Sequence, residues 1–193
     1  MVAYYRRTIF ELSEDECIDS TVKISGKYVS IILTRLPKTH DIKEILSDLR
    51  TELNPNVAIQ LINASIVYNL DHLLRTLLIT FEAEKRNNIF VRNKDIDLLL
   101  RLAYSKQISD AILFAGPTKS GTVCLLLYSR SMNALTSARR SVYRRFECSF
   151  RVALEATFAK KVNISARLGI DHTFFDEANF VRYLIERAAL LVR

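Results

Sequence analysis

The chain has little of what marks an enzyme, a secreted scaffold or a membrane protein. No uninterrupted apolar run approaches the roughly 18–20 residues that a membrane span needs, and the first residues, MVAYYRR, are too polar for a secretory signal. Cysteine is scarce: Cys17, Cys124 and Cys148 lie far apart without CxxC spacing. That argues against a disulfide scaffold and points to a reducing, cytoplasmic compartment. Cys124 stands inside an apolar run and is expected to be a small core residue. The three histidines, His40, His72 and His172, show neither HxxxH nor HExxH spacing, and no cysteine completes a zinc set with them. No metal or cofactor is expected. No serine lies in a GxSxG elbow. GPTKSGT (116–122) has the glycine spacing of a phosphate loop, but Thr122 stands where Lys should follow the second glycine. The order is also reversed, a helix ending and a strand beginning, so a tight helix-to-strand turn is expected. Asp95, Asp97 and Asp110 are scattered over helix faces, and no nucleophile–base pair is defended by spacing. The chain is therefore read as not an enzyme.

What is present is a folded composition, 49% hydrophobic and 25% charged, with a net charge of +7. The charge is localised. Between Arg130 and Arg167 nine Lys or Arg face two acids, Glu147 and Glu155, while the rest of the chain is balanced. A local basic excess fits an anionic partner, nucleic acid first, with a solvated basic surface as the alternative. No repeat, Pro/Gly/Ser linker or low-complexity tract interrupts the 193 residues. They read as one α+β domain (1–193), a small mixed or antiparallel sheet packed with several helices.

In chain order, YYRRTIFELS (4–13) and KYVSIILT (27–34) read as strands, with the acidic SEDECIDS a loop between them. Ile42, Ile45, Leu46 and Leu49 form one helical stripe, capped by Asp41 with Glu44 as capping-box partner and ended by Asn54-Pro55. VAIQLIN (57–63) is a short strand. Leu70, Leu73, Leu74, Leu77, Leu78 and Phe81 are the expected buried side of the next helix. Ile96, Leu99, Leu100 and Ala103 mark another, stopped near Tyr104-Ser105. Ile108, Ala111, Ile112 and Ala115 mark a third, with Ser105 a possible cap and Gly116-Pro117 its end. TVCLLLYS (122–129) predicts a central strand covered on both faces. Beyond it, MNALTSARR reads as a short helix and VYRRFECSFRVAL as a strand, and ATFAKKVNIS is ambiguous. Val181, Leu184, Ile185, Ala188 and Leu191 predict an amphipathic C-terminal helix over about 176–192.

Binding features outnumber catalytic ones. Arg101, Lys106 and Gln107 bracket a break between two helices, and a helix start at Ser105–Gln107 offers free backbone N–H groups to a phosphate. Arg101 and Lys106 read equally well as surface charges. Arg139, Arg140, Arg144 and Arg145 alternate with Tyr143 and Phe146 and could supply phosphate contacts and stacking. They read also as the solvent side of a strand whose aromatics are core. His72 is by itself a partly buried, hydrogen-bonded histidine.

The order and near-gapless spacing of Asn63-Ala64, His72-Leu73-Leu74, Asp97-Leu98-Leu99-Leu100-Arg101, Lys106-Gln107-Ile108, Ala111-Ile112, Gly116 and GTVCLL resemble the kinase-binding subunit of the KEOPS complex. Its human relative is the PRPK-binding protein, and the archaeal members are more similar to this chain. The C-terminal ERAALLV resembles that family's last helix. The family usually carries Gly and Arg where this chain has Tyr104 and Lys106, and alanines where it has Thr76 and Thr80. The resemblance implies a non-catalytic subunit that docks on the small atypical kinase/ATPase of KEOPS and binds the single-stranded 3′ CCA end of tRNA. Such a subunit supports N6-threonylcarbamoyladenosine formation in ANN-decoding tRNAs. It implies an RNA site of Asn63, His72, Arg101, Lys106 and Gln107, and the basic segment 130–167 with Arg139, Arg140, Arg144 and Arg145 either joins that site or touches another part of the tRNA. It also implies a kinase contact on the last helix through Val181, Leu184, Ile185 and Ala188; the alternative is that this stripe packs on the domain's own sheet and leaves only its edge for docking. A protein-interaction adaptor without RNA binding is the alternative.

Overall fold

Antiparallel pairing around one apolar strand organises the molecule. The computed structural model of the chain describes residues 21–36, 41–89, 91, 94–118, 121–146, 148–149 and 154–191. The strand expected over 4–13 and the loop after it lie outside them. Strands β1 (Thr21–Ile24) and β2 (Lys27–Arg35) form a hairpin whose turn residues, Ser25 and Gly26, both have positive φ, 47° and 82°. Such a turn carries the twist of the flanking strands, and a glycine makes it inexpensive. Strand β4 (Thr122–Ser129) lies between β2 and β3 (Ala58–Asn63), giving the order β1-β2-β4-β3, all antiparallel. A two-residue strand β5 (Cys148–Ser149) also pairs with β2. The expected α+β fold is present in its antiparallel form.

Every residue of β4 from Val123 to Ser129 is buried, because both faces of the sheet are covered. On one face Cys124, Leu126 and Tyr128 join Val29, Leu33 and Ile62 under helices α2 (Leu70–Lys85), α3 (Lys94–Ala103) and α4 (Ile108–Ala115). On the other, Val123, Leu125 and Leu127 join Ile32, Ile59 and Leu61 under α1 (Ile42–Glu52) and α5 (Met132–Arg145). The period-2 alternation of the strands makes this partition. Helix α7 (Glu177–Ala189) packs on α2 and α3. With α6 (Phe158–Leu168) it encloses a third cluster of Tyr68, Ile164, Phe180, Val181 and Leu184.

Most expected elements are in place, and the departures have identifiable causes. Asp41 caps α1, but its carboxylate accepts from Lys43 N (3.0 Å), the second helical amide, and not from Glu44 as in a capping box. On the core side of α2, Leu73, Leu77 and Phe81 are buried as expected, but His72, Thr76 and Thr80 are buried with them, and Leu70, in the first turn, is exposed. The threonines tolerate burial because each hydroxyl donates to the carbonyl one turn back, Thr76 to His72 O (2.8 Å) and Thr80 to Thr76 O (2.9 Å). In α4 the alanines Ala111 and Ala115 face the core, while Ile108 (41% exposed), Ile112 (51%) and Leu113 (83%) face outward. Small side chains let that helix sit close to its neighbours. Gly116 then ends it where an added Cβ would stand 2.3 Å from Ile112 O. The strand expected over Val142–Arg145 is corrected: these residues continue α5, started by Ser131, whose Oγ accepts from Ala134 N (3.3 Å). Leu135, Ala138 and Val142 recur at helical spacing on its buried side, and Phe146, also buried, caps it. The ambiguous ATFAKKVNIS contributes the first turns of α6.

Candidate functional site

The polar positions singled out along β3, α2, α3 and α4 have separate fates. Asn63 Oδ1 accepts from Ser65 N (3.0 Å) and Ser65 Oγ (2.9 Å), capping the 3-10 turn Ala64–Ile66. Asn69 caps α2 through His72 N (2.9 Å), which fixes His72 in the first turn, facing inward. The imidazole has no solvent exposure. Its Nδ1 accepts the Tyr68 backbone N–H (3.3 Å), so the ring proton sits on Nε2 and is donated to the Tyr104 hydroxyl (3.0 Å). Burial, with the positive Lys160 adding to it, holds this histidine down to about 4. It is a neutral structural node. Arg101 is 2% exposed. Its Nε donates to Asp97 Oδ2 (2.8 Å) and its Nη1 to Ala188 O (2.9 Å), tying α3 to the end of α7. Neither reading as a surface charge nor one as a direct phosphate ligand matches a guanidinium that is 2% exposed.

Between α3 and α4 the chain turns through Tyr104, at φ 54°. Tyr104 N bonds Arg101 O (3.3 Å) and Ser105 N bonds Leu100 O (3.1 Å), the hydrogen bonding of a left-handed helix end. A non-glycine residue there costs about 1–2 kcal/mol. The Tyr104 ring offsets that by packing on the Tyr68–Phe180 cluster and receiving the His72 proton. The turn leaves Lys106 and Gln107 exposed at the start of α4. Ser105 is not the cap; its Oγ accepts from Gln107 N (3.1 Å), and Gln107, the capping residue, makes no side-chain cap bond. The first turn of α4 thus lacks a side-chain cap from Gln107 and stands beside an exposed lysine and the exposed Ile108.

Arg167 buttresses this joint from α6, and sequence reasoning had placed it only within a basic segment. Its Nε donates to Ala103 O (3.2 Å), its Nη2 pairs with Asp110, and its guanidinium lies 4.9 Å from the Phe114 ring centroid. Hydrogen bonds from Arg167 and then Ser105 hold the Asp110 carboxyl below its usual range. The side chain of Lys160, also unassigned from sequence, donates from Nζ to Glu155 O (2.9 Å), and burial lowers its ammonium. Cys124 is fully buried and its thiol is pushed up to about 12, which keeps it protonated and inert. Among the described residues no group of His, Cys, Asp and Glu could hold a metal ion, and no helix is long and apolar enough to cross a membrane.

The four arginines of α5 lie across the sheet from the α3–α4 joint and do not join it. Arg145 bridges to Asp48 (2.7 Å) and Glu52 (2.6 Å) of α1, and Arg139 lies 5.7 Å from the Tyr143 ring centroid. Arg140 and Arg144 are exposed. On α7 the apolar stripe points inward: Leu184 and Ala188 have no exposure and Val181 has 7%. Ile185 is half-buried at the stripe's edge. There it lines a cleft of about 490 Å³ with Asn69, Asp71, Arg75, Glu177 and Arg182.

Compared with known families, residues 14–161 match the family described as kinase binding protein CGI-121. The chain belongs to the CGI-121 family. The match runs from before β1 into the first turn of α6, and so takes in the whole sheet and the α3–α4 joint. No curated protein matches the sequence. Membership in the CGI-121 family supports an accessory, kinase-binding role and gives no support to catalysis.

Proposed function

We propose that this CGI-121 family member is a non-catalytic subunit of a KEOPS-type complex. In this reading it works in the cytoplasm, binds the small atypical kinase/ATPase, and binds tRNA through its single-stranded 3′ CCA end. It thereby supports N6-threonylcarbamoyladenosine formation in ANN-decoding tRNAs. The kinase half rests on the family match. The RNA half rests on one arrangement: α4 begins without a side-chain cap beside exposed Lys106 and Gln107, with Ile108 exposed in the same turn. Backbone amides and a lysine receive a phosphate, and the exposed Ile108 adds an apolar surface beside them. His72 and Arg101 act behind this surface, holding Tyr104 and the end of α3 in place. The kinase contact is assigned to the edge of α7 at Ile185, the remainder of that stripe being occupied within the fold.

Binding of tRNA with and without its CCA tail tests the RNA half. Lys106→Glu is expected to abolish the preference for the tailed RNA, and equal failure of both RNAs to bind wild-type protein refutes it. Ile185→Glu is expected to end co-purification with the host's kinase subunit while leaving the isolated chain folded; unchanged co-purification refutes that interface. The adaptor reading, without RNA, gains from the burial of His72 and Arg101 and is what remains if neither tRNA binds.

A further inference from the structure

Helix α5 carries four arginines and no acidic residue. Its buried side, Leu135, Ala138 and Val142, faces the sheet. The opposite side carries Ser137, Arg140, Ser141 and Arg144, which helical spacing places within one strip. Arg145 engages Asp48 and Glu52, the carboxylates of α1 nearest this face. Among the described residues Arg140 and Arg144 have no ion-pair partner. Spaced i, i+4, they are neighbours about 5–6 Å apart at Cβ, and like charges so placed disfavour the helix. Stability alone favours an acid at one of the two positions. A cleft of about 390 Å³ lined by Glu52, Ser141, Arg144 and Arg145 runs beside the strip.

From this we infer a second RNA surface on α5, one that lies along the phosphate backbone of duplex RNA. The ligand class follows from what the strip contains. Guanidinium and hydroxyl groups contact phosphates without reading bases. Stacking on unpaired bases needs exposed rings, and here Phe146 is buried while Tyr143 packs against the core below Arg139. The strip also lies on the far side of the sheet from the α3–α4 joint, so it meets a different part of a folded RNA from the one gripped there. The inference rests on the RNA-binding reading above, but on none of its residues.

The test measures binding of a blunt RNA hairpin without an unpaired 3′ end, by fluorescence anisotropy, over a series of salt concentrations. Two phosphate contacts contribute about 1.8 to the slope of log K against log salt, taking 0.9 per contact. Arg140→Ala with Arg144→Ala is expected to lower the slope by about that much and the affinity roughly tenfold or more at 0.1 M salt. The double Lys variant is expected to retain both. Both arginines are exposed and repel each other, so a urea midpoint that is unchanged or raised verifies the fold. An unchanged slope in the double Ala variant overturns the inference. So does equally tight binding of poly-glutamate with the same dependence on these arginines, since the surface then serves acidic protein. A short single-stranded oligonucleotide ending in CCA separates the two sites: it responds to Lys106→Glu and not to the α5 variant. If the oligonucleotide fails to bind while the hairpin binds, the reading of the α3–α4 joint fails and the α5 surface stands.

Discussion

Acid should destabilise this protein through one buried histidine. His72 is fully buried, accepts the Tyr68 N–H and donates to Tyr104, with the Lys160 ammonium close enough to disfavour a second positive charge. Its ordinary value is 6.5 and its folded value about 4. Between those values the unfolded chain holds a proton that the folded chain refuses, so unfolding takes up a proton and stability falls as pH drops. Above pH 6.5 both states are neutral and the effect vanishes. Over the full interval the loss is about 3 kcal/mol, from 1.36 kcal/mol per unit of pKa difference. That is a large part of the 5–15 kcal/mol that holds a typical domain folded. Urea unfolding at pH 7.5, 6.5, 5.5 and 4.5 measures it, with His72→Leu as the comparison. At pH 7.5 the variant should be weaker by about 1–3 kcal/mol, because the Tyr68 N–H is left buried without an acceptor. Its stability should then decline less steeply below pH 6.5 than that of the wild type. Parallel pH profiles for the two proteins, or a His72 resonance titrating near 6.5 in the folded state, would refute the reasoning.

Two further perturbations probe the same architecture. Arg101→Met removes one partner of a buried ion pair and should cost about 3–5 kcal/mol in urea unfolding. Once corrected for the folded fraction, its tRNA affinity should match wild type, because Arg101 acts behind the surface. Gly116→Ala places a methyl group against the Ile112 carbonyl and should cost about 1–3 kcal/mol, read as a lowered urea midpoint with the slope preserved.

The parts of the fold legible in the sequence are those where one periodicity stands alone. KYVSIILT and TVCLLLYS became β2 and β4, and the stripe of Val181, Leu184, Ile185 and Ala188 became α7, which stops at Ala189, short of the Leu191 expected to extend it. The end of α5 reads as strand because Phe146, Cys148, Phe150 and Val152 alternate at period two just after Tyr143, while Leu135, Ala138 and Val142 continue at helical spacing. The turn geometry at Phe146, where α5 stops, is not written in hydrophobicity. The outward isoleucines of α4 were misplaced for a related reason. Alanine gives a weak signal, yet Ala111 and Ala115 are the residues that permit close approach. Among the site residues, exposure of Lys106 and Gln107 followed from their place at a break between helices. Burial of Arg101 was missed, although Asp97 stands one turn before it and the leucines around it leave α3 little polar surface. Arg167 and Lys160 were invisible because tertiary packing alone brings α6 against the joint.

The position of β4 has a consequence for how the chain acquires its structure during synthesis. Among the described residues it is the last long strand to be made, yet it lies between β2 and β3 and is the neighbour through which both enter one sheet. About 60 residues, including all of α2, α3 and α4, separate the end of β3 from its start. At translation rates of about 5–20 residues per second, β3 waits roughly 3–12 s for a partner. Through that interval Ile59, Leu61 and Ile62 are apolar residues on a strand without its neighbour, a surface for chaperones or for aggregation. The three helices made meanwhile have only part of a sheet to pack on. Emergence of this eight-residue segment joins β3 to the β1–β2 hairpin, and α5, made next, then covers the second face.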